Sequence, residues 1–258
     1  MLYNLRILTE TGALLYEKTW TKVVENIENF RTMIPQLFSA MMRMAQSSMG
    51  MSLRFISVGG ISVSMSNNTE AGLICYVFYD EDDGEEVGQF VSEAVLREFM
   101  MSYQIEDVTS PKLVEFKQQQ KTSLFLNFSN LLVNAIRKAI KSVLTEFKKK
   151  QGILSADIIE HEKVTGSETE STSGGVEIIA NIKTMVPLID SIMSLKNMGN
   201  SIVTFVEFTT NRLVVQKVRT GCLVVVGQKN IAAKILETEI KKYATMVETI
   251  QGMVSALQ

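Results

Sequence analysis

The residues that could do chemistry are few and lie far apart in the sequence. His161 is the only histidine, and Cys75 and Cys222 are the only cysteines. A catalytic nucleophile needs a neighbouring base and a metal ion needs several converging ligands, so one histidine and two separate cysteines supply neither. The sequence contains no CxxC, GxSxG, GxGxxG or GxxxxGK[ST] pattern. We therefore expect a protein that is not an enzyme, with no catalytic residue, no metal site and no cofactor.

A dense acidic run is the one remaining pattern that could bind a cation. It covers residues 80–86 and reads DEDDGEE. The run could bind Ca²⁺, but it lacks the fixed offsets of glycine and final glutamate that an EF-hand loop requires. Carboxylates ahead of a helix also favour its positive end. We interpret the run as the start of a helix over 85–101.

The other candidates have simpler interpretations. Arg212 and Arg219 fall at predicted turns, where one arginine could stabilise the charge of a transferring phosphate, but we interpret both as solvated turn residues. Cys75 and Cys222 lie in apolar predicted strands, which indicates small core residues in a reducing compartment rather than a disulfide. His161 lies between two glutamates in a predicted turn, where we expect a solvated side chain.

Composition argues against two further classes of protein. The chain has 258 residues, 46% of them hydrophobic, and a net charge of -2. That charge gives no reason to expect nucleic-acid binding. No apolar run is long enough to span a bilayer, and we find no signal peptide or lipidation motif. We expect a cytoplasmic protein that reaches membranes only through a partner.

A long helical run over residues 112–150 organises the predicted elements. Apolar residues recur there at steps of three and four, the spacing of one helix face. Ser110 and Pro111 form a helix start, and Gln151 and Gly152 form an end. The polar stretch 118–123 interrupts the apolar face, so we predict a bend or break in it.

The segments before and after this run follow the same order: strand, strand, helix, three strands, helix. Alternation of polar and apolar residues predicts the strands, and steps of three and four predict the helices. In the first half the strands fall at 2–9, 13–20, 53–58, 61–66 and 71–79, and the helices at 25–48 and 85–101. In the second half the strands fall at 153–160, 163–172, 201–209, 213–218 and 222–226, and the helices at 176–197 and 231–254.

This repeated order predicts an α/β (α+β) fold of two related modules. Each module has a five-stranded antiparallel sheet flanked by helices, and the long helical segment joins them. Residues 71–79 and 222–226 are apolar on both faces, so we expect them to be central strands. We place the first domain at residues 1–121 and the second at 122–258.

The pattern resembles two known families. Residues 1–121 resemble a longin domain through the stretches LYNLRILTETGALLYEK, MSLRFISVGGISVSMSNNTEAGLICYVFYDED and EEVGQFVSEAVLREF. Residues 122–258 resemble a roadblock domain through LVNAIRKAIKSVLTEFKKKQGILSADIIEHE, SIVTFVEFTTNRLVVQKVRTGCLVVVGQKN and the last helix. The two resemblances cover almost the whole chain.

The resemblance implies a function in binding rather than catalysis. Longin and roadblock proteins act as regulators and scaffolds of small Ras-like GTPases in membrane traffic, nutrient signalling and cell polarity. Some members promote nucleotide exchange, some stimulate hydrolysis and others tether. We therefore expect a small-GTPase regulator or scaffold, with all three modes open. The alternative is a structural subunit of a vesicle-trafficking complex that does not contact a GTPase.

The resemblance also points to an interface. Members of these families pair through the edge strand that follows the middle helix, which here corresponds to residues 52–58 and 201–209. Unpaired edge backbone needs a partner or protection. We expect pairing between the two modules of one chain, or with another copy or another longin or roadblock protein. The expected interface residues are Ile202, Val203, Phe205 and Glu207.

A third interpretation is a small-molecule sensor of the profilin or PAS type, with a pocket between sheet and helix. Such pockets present a few converging polar groups in an apolar cleft. The predicted inward faces are nearly all aliphatic, which disfavours this interpretation.

Overall fold

The structure is a computed structural model that describes residues 1–21, 40–41, 44–45, 47–48, 50, 53–160 and 203–257. It confirms a mixed α/β fold with two antiparallel sheets. The chain divides into two compact units. The first contains Met1–Ile140 and Gly252–Gln258, and the second contains Lys141–Gln251. The predicted division into residues 1–121 and 122–258 stays a prediction.

The first unit contains a five-stranded sheet in the order β2-β1-β5-β4-β3, with every neighbouring pair antiparallel. The strands are β1 (Leu2–Thr9), β2 (Leu14–Thr19), β3 (Phe55–Val58), β4 (Ile61–Asn68) and β5 (Leu73–Asp80). The prediction of a central strand over 71–79 is confirmed, because β5 lies between β1 and β4. Two asparagines follow the strand predicted over 61–66, and from the sequence we interpret them as a turn. That interpretation is wrong, since Asn67 and Asn68 pair with β5 at the end of β4.

The second unit contains four described strands in the order β6-β9-β8-β7, again all antiparallel. They are β6 (Ile153–Glu160), β7 (Val203–Glu207), β8 (Asn211–Val218) and β9 (Gly221–Gln228). The predicted central strand over 222–226 is confirmed as β9. The fifth strand predicted at 163–172 and the helices predicted at 25–48 and 176–197 lie wholly or largely outside the described residues.

Four α-helices are described, and two short 3-10 helices accompany them. They are α1 (Glu85–Tyr103), α2 (Pro111–Gln119), α3 (Phe128–Lys148) and α4 (Ala233–Ser255), with 3-10 turns at Glu81–Asp83 and Thr122–Phe125. The predicted break in the long helical run is confirmed. Gln120 ends α2 with a left-handed backbone at φ 51°, and Phe125 is fully buried in the 3-10 turn that follows.

Aromatic rings fix this break in the core of the first unit. Phe125 contacts Phe99 at 5.2 Å and Tyr103 at 5.0 Å between ring centroids, both from α1. Phe116 of α2 lies 5.9 Å from the same ring. The Tyr103 hydroxyl donates to the Phe125 carbonyl at 3.1 Å. The break therefore places one side chain where two helices converge, rather than interrupting the core.

Helix α1 lies directly against β4 and β5 because its sequence has a glycine at the closest approach. A Cβ built on Gly88 would lie 2.2 Å from the Tyr79 hydroxyl and 2.3 Å from the Ser64 hydroxyl. Those two hydroxyls are buried and hydrogen-bonded to each other at 2.8 Å. The polar pair and the glycine together set the distance between helix and sheet.

Substitution of Gly88 by alanine should therefore destabilise the first unit. We expect the free energy of unfolding to fall by about 1–3 kcal/mol, since an added methyl group overpacks a filled core. Urea denaturation of Gly88→Ala against the wild type measures it. Met101→Ala on the same helix, 65% exposed, is the control and should change little. Equal stability of Gly88→Ala and the wild type would contradict this packing.

The buried Tyr79 phenol should also make stability depend on alkaline pH. Burial raises its pKa from 10.0 to about 12, and the carboxylates of Glu85 and Asp83 add to the rise while the Ser64 hydrogen bond opposes it. The native state thus holds this proton more tightly than the unfolded chain. Its contribution to stability is complete below pH 10.0 and is lost as the pH rises through about 12. Denaturation curves across that range should show the loss, and it should be smaller in Tyr79→Phe. An identical slope in both proteins would contradict it.

Candidate functional site

The two cysteines, the candidate nucleophiles of the described residues, lie in the cores of the sheets. Cys75 and Cys222 are buried in the central strands β5 and β9, as the sequence predicts. Burial raises the pKa of the Cys75 thiol, so the reactive thiolate is disfavoured. His161 lies outside the described residues.

The acidic run begins with a capping carboxylate. Asp80 accepts from the backbone N–H of Asp82 at 3.1 Å and from the Tyr3 hydroxyl at 2.9 Å. Both bonds lower the pKa of Asp80, and the bond from the Asp82 backbone has the larger effect. The run starts a 3-10 turn and then α1, so the helix-start interpretation is confirmed. Among the described residues no group of histidine, cysteine, aspartate and glutamate side chains is arranged to hold a metal ion.

Arg212 is a structural residue of the β7–β8 hairpin. The prediction of a solvated turn side chain is wrong for it, because it is 8% exposed as the second residue of β8. Its Nε and Nη2 atoms donate to Glu207 at 3.1 and 2.7 Å, and Nη1 donates to the Ile231 carbonyl at 3.0 Å. A guanidinium that is buried and held in three hydrogen bonds braces the hairpin. Arg219 is exposed in the β8–β9 turn, as predicted.

The outer edge of β7 is the candidate site. Among the described strands, β7 is the last of its sheet and pairs with β8 alone. Its side chains from Val203 to Val206 are only partly buried, although they are apolar apart from Thr204. Phe208, directly after the strand, is 47% exposed. An edge of this length with apolar, accessible side chains is a template for pairing with another strand.

The hairpin decides which backbone groups of β7 point outward. Phe208 donates its N–H to the Asn211 carbonyl at 2.9 Å and closes the turn. Hydrogen-bonded and non-bonded residue pairs alternate along an antiparallel ladder, so Val206 and Thr204 bond to β8. The residues whose N–H and C=O point away from the sheet are Val203, Phe205 and Glu207.

Three of the four predicted interface residues therefore lie on one strand with their backbone groups on its open side. The fourth, Ile202, lies outside the described residues. The Glu207 side chain is bound to Arg212, so it braces the hairpin while its backbone faces outward. The corresponding predicted edge over 52–58 contains β3, which pairs only with β4 among the described strands.

Sequence reasoning missed a second feature, a cavity of about 810 Å³ beside α1 in the first unit. Arginine, glutamate and amide side chains line it together with leucine, isoleucine and methionine. The helical pattern over 85–101 predicted α1, which spans Glu85–Tyr103. It gave no signal that polar residues on one flank of this helix border a cavity.

No protein-family model matches the sequence, and a search of curated proteins finds no significant match. The resemblance to longin and roadblock domains therefore stays an interpretation of the sequence pattern. None of the helices that the structure describes is both long and apolar enough to cross a bilayer.

The role of Arg212 can be tested by stability. Arg212→Met should lower the free energy of unfolding by about 1–3 kcal/mol, because it removes three hydrogen bonds and leaves the Ile231 carbonyl without this donor. The control is Arg219→Met in the exposed turn, which should stay within about 0.5 kcal/mol of the wild type. Thermal or urea unfolding measures both. A free, functional Arg212 would instead leave stability unchanged.

Proposed function

We propose that the protein is a non-enzymatic binding platform for a small Ras-like GTPase, assembled through the open edge of β7. We infer a binding platform from this edge, because the backbone groups of Val203, Phe205 and Glu207 face outward there. The choice of GTPase rests on the resemblance to longin and roadblock domains. Nucleotide exchange, stimulation of hydrolysis and tethering stay open as modes of action.

The strand order of the two units supports the proposal. If the strands of the first sheet are numbered by their order in the chain, they lie side by side in the order second, first, fifth, fourth, third. In the second sheet the spatial order is β6, β9, β8, β7. This order matches the first, fifth, fourth and third strands of the first sheet. In both units the first strand thus lies beside the last strand of a three-stranded meander. A repeated meander with an open last strand is the architecture expected of both families.

The chemistry of the edge supports a protein partner. β7 presents N–H and C=O groups at every second residue, with a phenylalanine and valines beside them. Main-chain bonds then provide affinity and the side chains provide selectivity. The complementary strand is one from a second copy or from another longin or roadblock protein. Pairing there extends the sheet and makes a composite surface to which the GTPase binds.

Phe205→Pro tests the edge with little damage to the sheet. The Phe205 N–H points outward, so proline at this position removes no bond to β8 and is tolerated on an edge. It should weaken self-association or partner binding at least about tenfold, equivalent to 1.4 kcal/mol. Phe205→Val keeps the N–H and is the control for the lost ring. Thr204→Pro removes a bond to β8 and should destabilise the sheet itself.

Light scattering gives the mass of each variant, which is compared with 28.8 kDa for one chain. Pull-down with GDP-loaded, GTP-loaded and nucleotide-free Ras-like GTPases identifies the partner. We expect Phe205→Pro to keep its fold and lose the pairing. A wild-type protein that stays monomeric and captures no GTPase in any nucleotide state would contradict the proposal. Nucleotide-insensitive binding of fixed stoichiometry to a coat-type subunit would contradict the GTPase assignment.

A further inference from the structure

The cavity beside α1 is lined by charged, polar and apolar side chains, so it suits a ligand that has groups of all three kinds. It has a volume of about 810 Å³, near the upper end of the range of about 300–1,000 Å³ for ligand pockets. The flank of α1 forms one wall, and the end of β4 together with Arg54, which directly precedes β3, forms the other. It lies within the first unit, far along the chain from β7, and the inference does not depend on the platform proposed there.

Charges of both signs line this cavity. Arg54 and Arg97 are exposed, and neither guanidinium is hydrogen-bonded or ion-paired to a side chain or carbonyl of another described residue. Glu70, Glu93 and Glu106 supply three carboxylates, of which Glu93 accepts from a neighbouring glutamine side chain at 2.6 Å. A guanidinium binds a carboxylate through two parallel hydrogen bonds. The cavity therefore offers sites for a carboxylate and for a basic group.

The floor of the cavity is apolar and its end wall is fixed. Leu96 and Ile105 are 4% and 3% exposed, and the half-buried Met100 also lines the cavity. The Ile105 N–H donates to the Met100 carbonyl at 2.9 Å, and the Glu106 N–H donates to the Ser110 hydroxyl at 3.0 Å. The wall exists before a ligand arrives, so binding costs little ordering of this loop.

A buried polar group at the cavity lacks a partner. Ser66 of β4 lines the cavity, is 7% exposed, and its hydroxyl makes no hydrogen bond within the described part of the chain. Buried hydroxyls without partners are uncommon in folded proteins. A hydroxyl can rotate and can donate or accept, so rotation of the Ser66 side chain towards the cavity would let it bond to a backbone amide of a ligand.

These features favour a peptide over the other ligands of suitable charge. A single carboxylate ion fills a small part of 810 Å³. A phosphate group carries a higher charge and would meet three glutamates in the same cavity. An extended peptide supplies amides for Ser66, an apolar side chain for the floor and charged side chains for both walls. Flexible methionines at the rim adapt to varied apolar residues.

We propose that this cavity binds a peptide segment of another protein in which an aliphatic residue is flanked by an acidic residue and a basic residue. The acidic side chain pairs with Arg97 or Arg54, and the basic one pairs with the glutamates. The aliphatic side chain lies over Leu96 and Ile105.

Selection from a displayed library of random octapeptides tests the proposal with the full-length protein as bait. The enriched peptides should share the acidic–aliphatic–basic pattern. Labelled synthetic copies should bind Arg97→Glu or Arg54→Glu at least about tenfold more weakly than the wild type. Arg137→Glu carries the same charge change on an exposed site of α3 outside the cavity lining and should bind like the wild type.

A charge swap separates binding in the cavity from general attraction. Changing the acidic residue of an enriched peptide to lysine should abolish binding to the wild type and restore it to whichever arginine variant lost binding. Unfolding curves confirm that the variants fold. Failure to enrich any pattern, equal loss in Arg137→Glu, or displacement of the peptide by millimolar inorganic phosphate would each overturn the proposal.

Discussion

The need to pair every buried backbone N–H and C=O group shapes both units of this protein. β5 and β9 are buried along almost their whole length and are flanked on both sides, so their backbone groups are satisfied within the sheet. Each added strand satisfies its inner neighbour and presents a new open edge. Among the described strands of the second unit, β6 and β7 are the two edges, and β7 pairs with β8 alone. We propose that the outward row of backbone groups on β7 pairs with a partner strand.

The side chains that sequence reasoning examined for chemistry serve this scaffold instead. Asp80 caps the 3-10 turn ahead of α1, and Arg212 ties β8 to Glu207 and to the Ile231 carbonyl. Cys75 lies inside a central strand. Among the described residues, the edge of β7 and the mixed-charge cavity beside α1 are accessible, and we propose that both bind other polypeptides.

Periodicity in the sequence predicted the elements well, because the two central strands and the break near Gln120 have strong local signals. It failed where the answer depends on tertiary neighbours. Asn67 and Asn68 are typical turn residues, yet both pair with β5 at the end of β4. Ile235 fits the apolar stripe of α4 but is 60% exposed. The interface at the edge of β7 rests on resemblance and stays a prediction, whereas the cavity depends on residues from β4 and α1 that no local pattern connects.

The most direct test of the open edge is amide hydrogen exchange along β7, measured residue by residue by NMR. In dilute, monomeric protein, Thr204 and Val206 should exchange slowly because they are bonded to β8, and Phe205 and Glu207 should exchange fast. On self-association or partner binding, exchange at Phe205 and Glu207 should slow as well. Equal protection of all four amides in the monomer, or fast exchange at Phe205 and Glu207 within a complex, would contradict the account.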